Sequence, residues 1–201
     1  MKKYRKDTLD YYDKNSKGYY EEWNNRFINN YNFDVPDIFL KYVKPHSSIL
    51  DLGCGSGRDS LYFKEKGYKV TSVDGSKEMC KIASQVLGEK VEQLEFLDMT
   101  YRDEFDAIFA CASLLHLNDE DLISCLKKIV VALKDEGFLY ISFKYGEGTR
   151  NKEGRFFNDM TEEKFQSIYS NIPELEHVLT FSNPIYDGHK PFINFILRKR
   201  H

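Results

Sequence analysis

The run SSILDLGCGSGRDSLYF, Ser47 to Phe63, constrains this chain more than any other stretch. An apolar segment with strand character meets three glycines, Gly53, Gly55 and Gly57, and then a segment with helical character. Glycine lets the backbone take left-handed angles and come close to a ligand. A glycine-rich turn between strand and helix therefore predicts an α/β fold whose ligand sits at the carboxyl ends of parallel strands, where strand order reverses. The spacing argues against one ligand class. A dinucleotide fingerprint reads G-x-G-x-x-G; here the third glycine comes one residue early, and Arg58 fills its slot.

The rest of the chain continues the alternation. YKVTSVD reads as a second strand, and SKEMCKIASQVLG as a helix with Met79, Ile82, Ala83, Val86 and Leu87 on one face, capped by Ser76 and stopped by Gly88. VEQLEFLDM holds a short strand, and FDAIFACAS a stronger one. NDEDLISCLKKIVVALKDEG predicts an amphipathic helix from a cap at Asn118 to a stop at Gly137, followed by the strand FLYISFKY. TEEKFQSIYSNI reads as a helix, and the strands near LEHVLTF and PFINFILRK form a hairpin through SNPIYDGHK, which makes the last strand antiparallel. About 45 residues rich in tyrosine precede the sheet and predict two helices, the second being PDIFLKYV with Pro36 in its first turn. Strands alternating with helices predict a mostly parallel sheet covered on both faces.

The acids narrow the ligand. Asp51 stands two residues before Gly53, where a carboxylate would repel a pyrophosphate but attract an ammonium or a sulfonium. S-adenosylmethionine carries both cations. Asp74 ends the second strand, where a carboxylate can accept from both ribose hydroxyls. Asp98 is expected to end the third strand and accept from an adenine amino group, with the Met99 N–H reaching a ring nitrogen.

ILDLGCGSGRDS followed by VTSVDGS, FLDMT and FDAIFACASLLHL resembles the class I S-adenosylmethionine-dependent methyltransferases, and within them the small bacterial enzymes of the tellurite-resistance and ubiquinone-biosynthesis types. By motif the resemblance covers Ser47 to about Phe143. It implies a Rossmann-like three-layer sandwich, with a seven-stranded, mostly parallel sheet whose last strand is antiparallel. One domain is expected, with residues 1–45 as a helical lid and 46–201 as the S-adenosylmethionine-binding core. Asp51, Gly53, Cys54 and Gly55 would line the methionine end, Asp74 the ribose, Asp98 and Met99 the adenine, and Ala112 with Ser113 the sulfonium side. Arg58 either reaches the methionine carboxylate or is a surface arginine of the helix's first turn. Position 75, often bulky and apolar in this family where it lies against the adenine, is Gly75, so either another side chain supplies that contact or the adenine is held more loosely.

Methyl transfer needs a nucleophile aligned with the activated carbon and, for O–H or N–H acceptors, a place for the proton. His116, just past the fourth strand, is either that base or a histidine that orients the loop. Tyr12 and Tyr19 match a Y-D-x-x-A-x-x-Y lid pattern of related enzymes, with Ser16 in place of the alanine, which implies a catalytic place for Tyr12 and a cofactor contact for Tyr19; Trp23 lies in the same segment. The alternative is a plain amphipathic helix. After the fifth strand, KYGEGTRNKEGRFFNDM reads as a polar loop whose Tyr145, Glu147, Arg150 and Arg155 could fix an anionic acceptor, whereas His189 reads as surface.

Several classes recede. Net charge is −3 and no basic stripe runs through the core, which argues against nucleic acid; only the ends MKKYRK and LRKRH are basic, and they read as solvated termini. CASL follows the fourth strand in place of an Asn/Asp-Pro-Pro-Tyr/Phe motif, and no Pro-Cys nucleophile is present. The four cysteines show no metal-like spacing, and with no signal peptide or membrane-spanning run they point to the cytoplasm. The reading is an O- or N-methyltransferase of a small molecule, monomeric or homodimeric. An RNA-modifying methyltransferase, a nicotinamide oxidoreductase and a non-catalytic S-adenosylmethionine-binding module are the alternatives.

Overall fold

The computed structural model describes residues 1–30, 35–183 and 191–201, with side chains described outside residues 23–30. His189 and most of the turn expected in SNPIYDGHK thus lie outside the described residues, and of Trp23 only the backbone, within the first helix, is described. Two helices, α1 (Lys3–Asn30) and α2 (Val35–Leu40), precede a seven-stranded sheet. Its elements follow as β1 (Ser48–Leu52), α3 (Arg58–Glu65), β2 (Lys69–Asp74), α4 (Lys77–Leu87), β3 (Glu92–Gln93), β4 (Phe105–Ala110), α5 (Asp119–Ala132) and β5 (Leu133–Lys144). A two-stranded hairpin, β6 (Thr149–Lys152) and β7 (Arg155–Asn158), leads to α6 (Glu162–Tyr169), β8 (Leu175–Ser182) and β9 (Phe192–Lys199). The sheet order is β3-β2-β1-β4-β5-β9-β8, with β9 antiparallel to both neighbours and the other pairs parallel. Strand order reverses between β1 and β4, so the crevice opens above their carboxyl ends.

Alternation along each strand divides the core into two layers. Leu50, Leu52, Ile108, Leu139 and Ile141 face the layer with α5 and α6. Ile49, Ala107, Phe109 and Tyr140 face Phe39 of α2 and Phe63 of α3. Local chemistry sets the helix ends. The Ser76 hydroxyl accepts the Met79 N–H at 3.2 Å, and Gly88 at φ +67° stops α4. Asn118 and Thr161 cap α5 and α6 in the same way.

Three expectations change. The fifth helix ends at Ala132, and Gly137 does not stop it. The chain turns into β5 at once because Leu133 pairs with Phe105, while the Asp103 and Glu104 N–H groups donate to the carbonyls of Val131 and Ala132. Gly137 instead lies inside β5, where a Cβ would stand 2.8 Å from the Lys134 carbonyl oxygen. The polar loop after β5 is the β6–β7 hairpin. Its two-residue turn places Glu153 at φ +55° and Gly154 at φ +84°, the geometry that matches strand twist. The basic ends are not loose. Lys2 binds Glu120 and Asp121, Arg5 binds Glu95 and Asp121, Arg198 binds Glu136 and Glu176, and Lys199 binds Asp103 and Asp135. Among the described residues no helix is long and apolar enough to cross a membrane.

Candidate active site

Above the carboxyl ends of β1, β2, β4 and β5 lies a cleft of about 860 Å³, roofed by α1 and the β6–β7 hairpin. One wall is the turn after β1. Gly53 sits at φ +85°, and a Cβ there would lie 2.5 Å from Ser113 Cβ, so the turn tolerates no side chain. A Cβ on Gly55, at φ +55°, would meet nothing within 4 Å; this glycine faces open space in the cleft.

Asp74 forms the next part of the wall. One carboxylate oxygen accepts the Gly55 N–H at 2.9 Å and the other accepts the Ser76 N–H at 2.8 Å. Burial pushes its pKa up to about 6, against the pull of those two bonds. Each oxygen keeps a lone pair for a hydroxyl donor in the cleft. Gly75 lies against α1: a Cβ there would be 2.8 Å from Leu9 Cδ2. Leu9 lines the cleft at the place where a bulky side chain after the ribose acid was missing. Sequence gave no sign of Leu9, because nothing marks which side of α1 meets the sheet.

Ala112 and Ser113 face the same cleft, with Ala112 in the left-handed region at φ +50° and its N–H held by Ser142 Oγ at 2.8 Å. Ser113 Oγ is buried and has no hydrogen-bond partner among the described residues. An unsatisfied buried hydroxyl costs stability unless a ligand completes it. The open space over Gly55, the backbone-held carboxylate of Asp74 and the orphan hydroxyl of Ser113 together fit an adenosyl cofactor bearing ribose hydroxyls and a cationic amino-acid end.

Not every expected residue reaches the cleft. Asp51 lies behind the turn, 2% exposed, accepting from Ser60 Oγ at 2.6 Å while Ser72 donates to Ser60 at 2.7 Å. Burial, with Asp59 nearby, raises its pKa. Asp98 is exposed on a short 3₁₀ turn, Phe96–Asp98, because β3 ends at Gln93, five residues earlier than the adenine role required. Met99 is buried in the core. Glu95 and Phe96, from the same segment, line the cleft. Cys54 and Arg58 line the cleft, but the fork of Arg58 grips its neighbour Asp59, at 2.8 Å through Nε and 2.7 Å through Nη2.

The opposite wall gathers distant residues. The His116 Nδ1 lies 2.6 Å from the Phe156 carbonyl oxygen, and Nε2 lies 2.8 Å from the Tyr12 hydroxyl. A carbonyl only accepts, so Nδ1 carries the proton and bare Nε2 accepts from Tyr12. Burial drops the His116 pKa to about 4 and lifts that of Tyr12 to about 12. Tyr19 stands edge-on to Tyr12 at 5.4 Å and also lines the cleft. Arg150 and Arg155 enter from the hairpin, whereas Tyr145 is exposed at 49% and stands away from the cleft lining.

Residues 49–137 match the model of a methyltransferase domain family. A methyltransferase of Staphylococcus carnosus is 25% identical over 167 residues, covering 76% of this chain and 81% of its own length. Against several other curated relatives the chain spans less than half their length, such as 44% for YqeM of Bacillus subtilis, 35% identical over 111 residues. The solved structure of Burkholderia thailandensis 1,6-didemethyltoxoflavin-N1-methyltransferase, with bound 1,6-didemethyltoxoflavin and S-adenosylhomocysteine, superimposes with a TM-score of 0.72 at 23% identity, covering 83% of this chain and 76% of that one.

Proposed function

We propose that this chain, a class I S-adenosylmethionine-dependent methyltransferase, moves a methyl group onto an oxygen or nitrogen of a small molecule. S-adenosylmethionine, when bound, supplies a carbon activated by a positive sulfur. Gly53, Gly55, Asp74, Ser113 and Leu9 would hold it, with Asp74 on the ribose. The observation that carries the acceptor reading is the chain Tyr12–His116–Phe156 carbonyl. An acceptor O–H or N–H gives its proton to the Tyr12 oxygen as its lone pair attacks, and Tyr12 passes its own proton to Nε2 of His116. The tautomer fixed by Phe156 leaves Nε2 ready for it.

Size supports a small acceptor. Small-molecule pockets run to roughly 300–1,000 Å³; here about 860 Å³ must serve both cofactor and acceptor. At the basic ends, Lys2, Arg5, Arg198 and Lys199 are tied to carboxylates of the fold itself, which lends no support to an RNA acceptor. The test is transfer of labelled methyl from S-adenosylmethionine into a small-metabolite extract and into total RNA. Label in the small-molecule fraction is expected, and label in RNA alone overturns the reading. His116→Ala should lower kcat by roughly 100-fold with S-adenosylhomocysteine affinity unchanged; full activity would remove His116 from the chemistry.

A further inference from the structure

The two ends of the cleft differ in charge. Lining residues from α1 and the β1–β4 side include Arg5, Glu22, Arg58, Asp59, Asp74 and Glu95, four carboxylates against two guanidiniums. Lining residues from the end of β5 and the hairpin are Lys144, Arg150, Lys152, Glu153 and Arg155, four cations against one carboxylate. Resting on the methyltransferase reading, we propose that the acceptor bears an oxyanion, a carboxylate or a phosphate, and that Arg155 anchors it.

The two arginines are not equivalent. Arg150 lays its Nε against both oxygens of Asp159, at 2.9 and 3.2 Å, and Asp159 is 2% exposed. It serves that buried carboxylate. Among the described residues Arg155 has one carboxylate partner, Glu153 at 2.8 Å, which sits on the exposed hairpin turn. Its Nε is buried without a hydrogen-bond partner among the described residues. A buried guanidinium N–H left unsatisfied is costly, and an oxyanion is the group whose geometry matches its fork. The guanidinium is boxed by rings, 4.0 Å from the centroid of Tyr11, 5.3 Å from Phe157 and 5.9 Å from Tyr12. Low dielectric around it strengthens any charge pair it makes. An anion held there sets the body of the acceptor beside Tyr12 and His116.

The chemistry gains from this placement. Arg155 and Arg150 both hold His116 away from protonation, after burial itself. An anion on Arg155 offsets that field and raises the basicity of Nε2 at the moment the acceptor arrives. The correct acceptor thereby improves the group that receives its proton.

The experiment titrates the S-adenosylhomocysteine-saturated protein calorimetrically with inorganic phosphate and, separately, with benzoate. Wild type is expected to bind at least one in the millimolar range, and which one separates the two sources of the oxyanion. Arg155→Gln should weaken that binding at least tenfold while S-adenosylhomocysteine affinity changes less than twofold. Glu153→Gln, a change on the exposed turn that leaves packing alone, removes the competing carboxylate and should tighten it about threefold. Wild type binding neither probe, Arg155→Gln binding as wild type does, or Glu153→Gln failing to tighten the interaction overturns the proposal. Absence of S-adenosylhomocysteine binding would instead strike the methyltransferase reading beneath it.

Discussion

The cofactor wall and the acceptor wall of one cleft are built in opposite ways. The cofactor wall is made by backbone. Gly53 and Gly55 shape it, and Asp74 is held by the N–H groups of Gly55 and Ser76, within a span of 24 residues of chain. The acceptor wall is made by side chains brought from far apart: Tyr12 to His116 bridges 104 positions, and Thr8 to Phe156 bridges 148. A backbone-built site is set once the strands pair. A side-chain-built site exists only after α1, the turn at Leu114–His116 and the hairpin have all docked. Separate construction leaves the acceptor end free to change chemistry while the cofactor end stays fixed.

Breaking the cofactor wall should give the largest effect. Asp74→Ala orphans the Gly55 and Ser76 N–H donors and removes the carboxylate proposed to accept from the ribose, which should weaken S-adenosylhomocysteine binding by about 3 kcal/mol, on the order of 100-fold. Calorimetry checks it, and an affinity within threefold of wild type would take Asp74 out of the site.

The second effect sets the walls against each other in pH. His116 keeps its neutral form in the fold down to about pH 4, whereas an unfolded histidine charges below about 6.5. Between those values the unfolded chain binds the extra proton, so this group's stabilising share is full above 6.5 and is lost as pH falls toward 4. Asp74 acts with the opposite sign. Its raised pKa, about 6, makes the fold bind the extra proton between about 4 and 6, so its share rises as pH falls. Bulk stability thus hides both, and the difference between variants reveals them. The cost of His116→Gln in urea unfolding should shrink by about 2 kcal/mol from pH 7 to pH 5; a cost independent of pH would place an ordinary, solvated histidine at this position.

The smallest effect tests where the walls meet. Leu9 comes from α1 but packs on Gly75. Leu9→Ala should weaken S-adenosylhomocysteine binding about fivefold, near 1 kcal/mol of lost apolar contact, and leave the acceptor KM alone. A change in acceptor KM instead would assign α1 wholly to the other wall.

This division explains what could be read in advance. The strands, the caps at Ser76, Asn118 and Thr161, the reversal of β9 and the glycine wall were legible because each depends on neighbours in sequence. Asp98 misled because an acid after a strand was assumed, while β3 is only two residues long. Asp51 misled in another way: its place before the glycines was right, but its side chain turns inward to Ser60. The hairpin was hidden because K-E-G-R carries the glycine of a tight turn without the alternating apolar residues that mark strands. The pairing of Arg150 with Asp159 and of the basic ends with distant acids depends on tertiary placement, to which local pattern is blind.

Helix α1 carries one consequence further. It is moored by polar bonds, Lys2 and Tyr4 to Asp121, Thr8 to the Phe156 N–H, and Asp13 to Ser76 and the Glu78 N–H, and by ring contacts of Tyr4 with Phe156 and Tyr12 with His116. The polar moorings can be exchanged for water one at a time, while the ring contacts part only as α1 lifts. Yet Leu9 completes the wall over Gly75. Occupancy of the adenosyl site and docking of α1 are then two readings of one equilibrium, and each must favour the other by the same factor. Amide exchange along α1 becomes a gauge of how full the cofactor site is, measured without touching the methyl group.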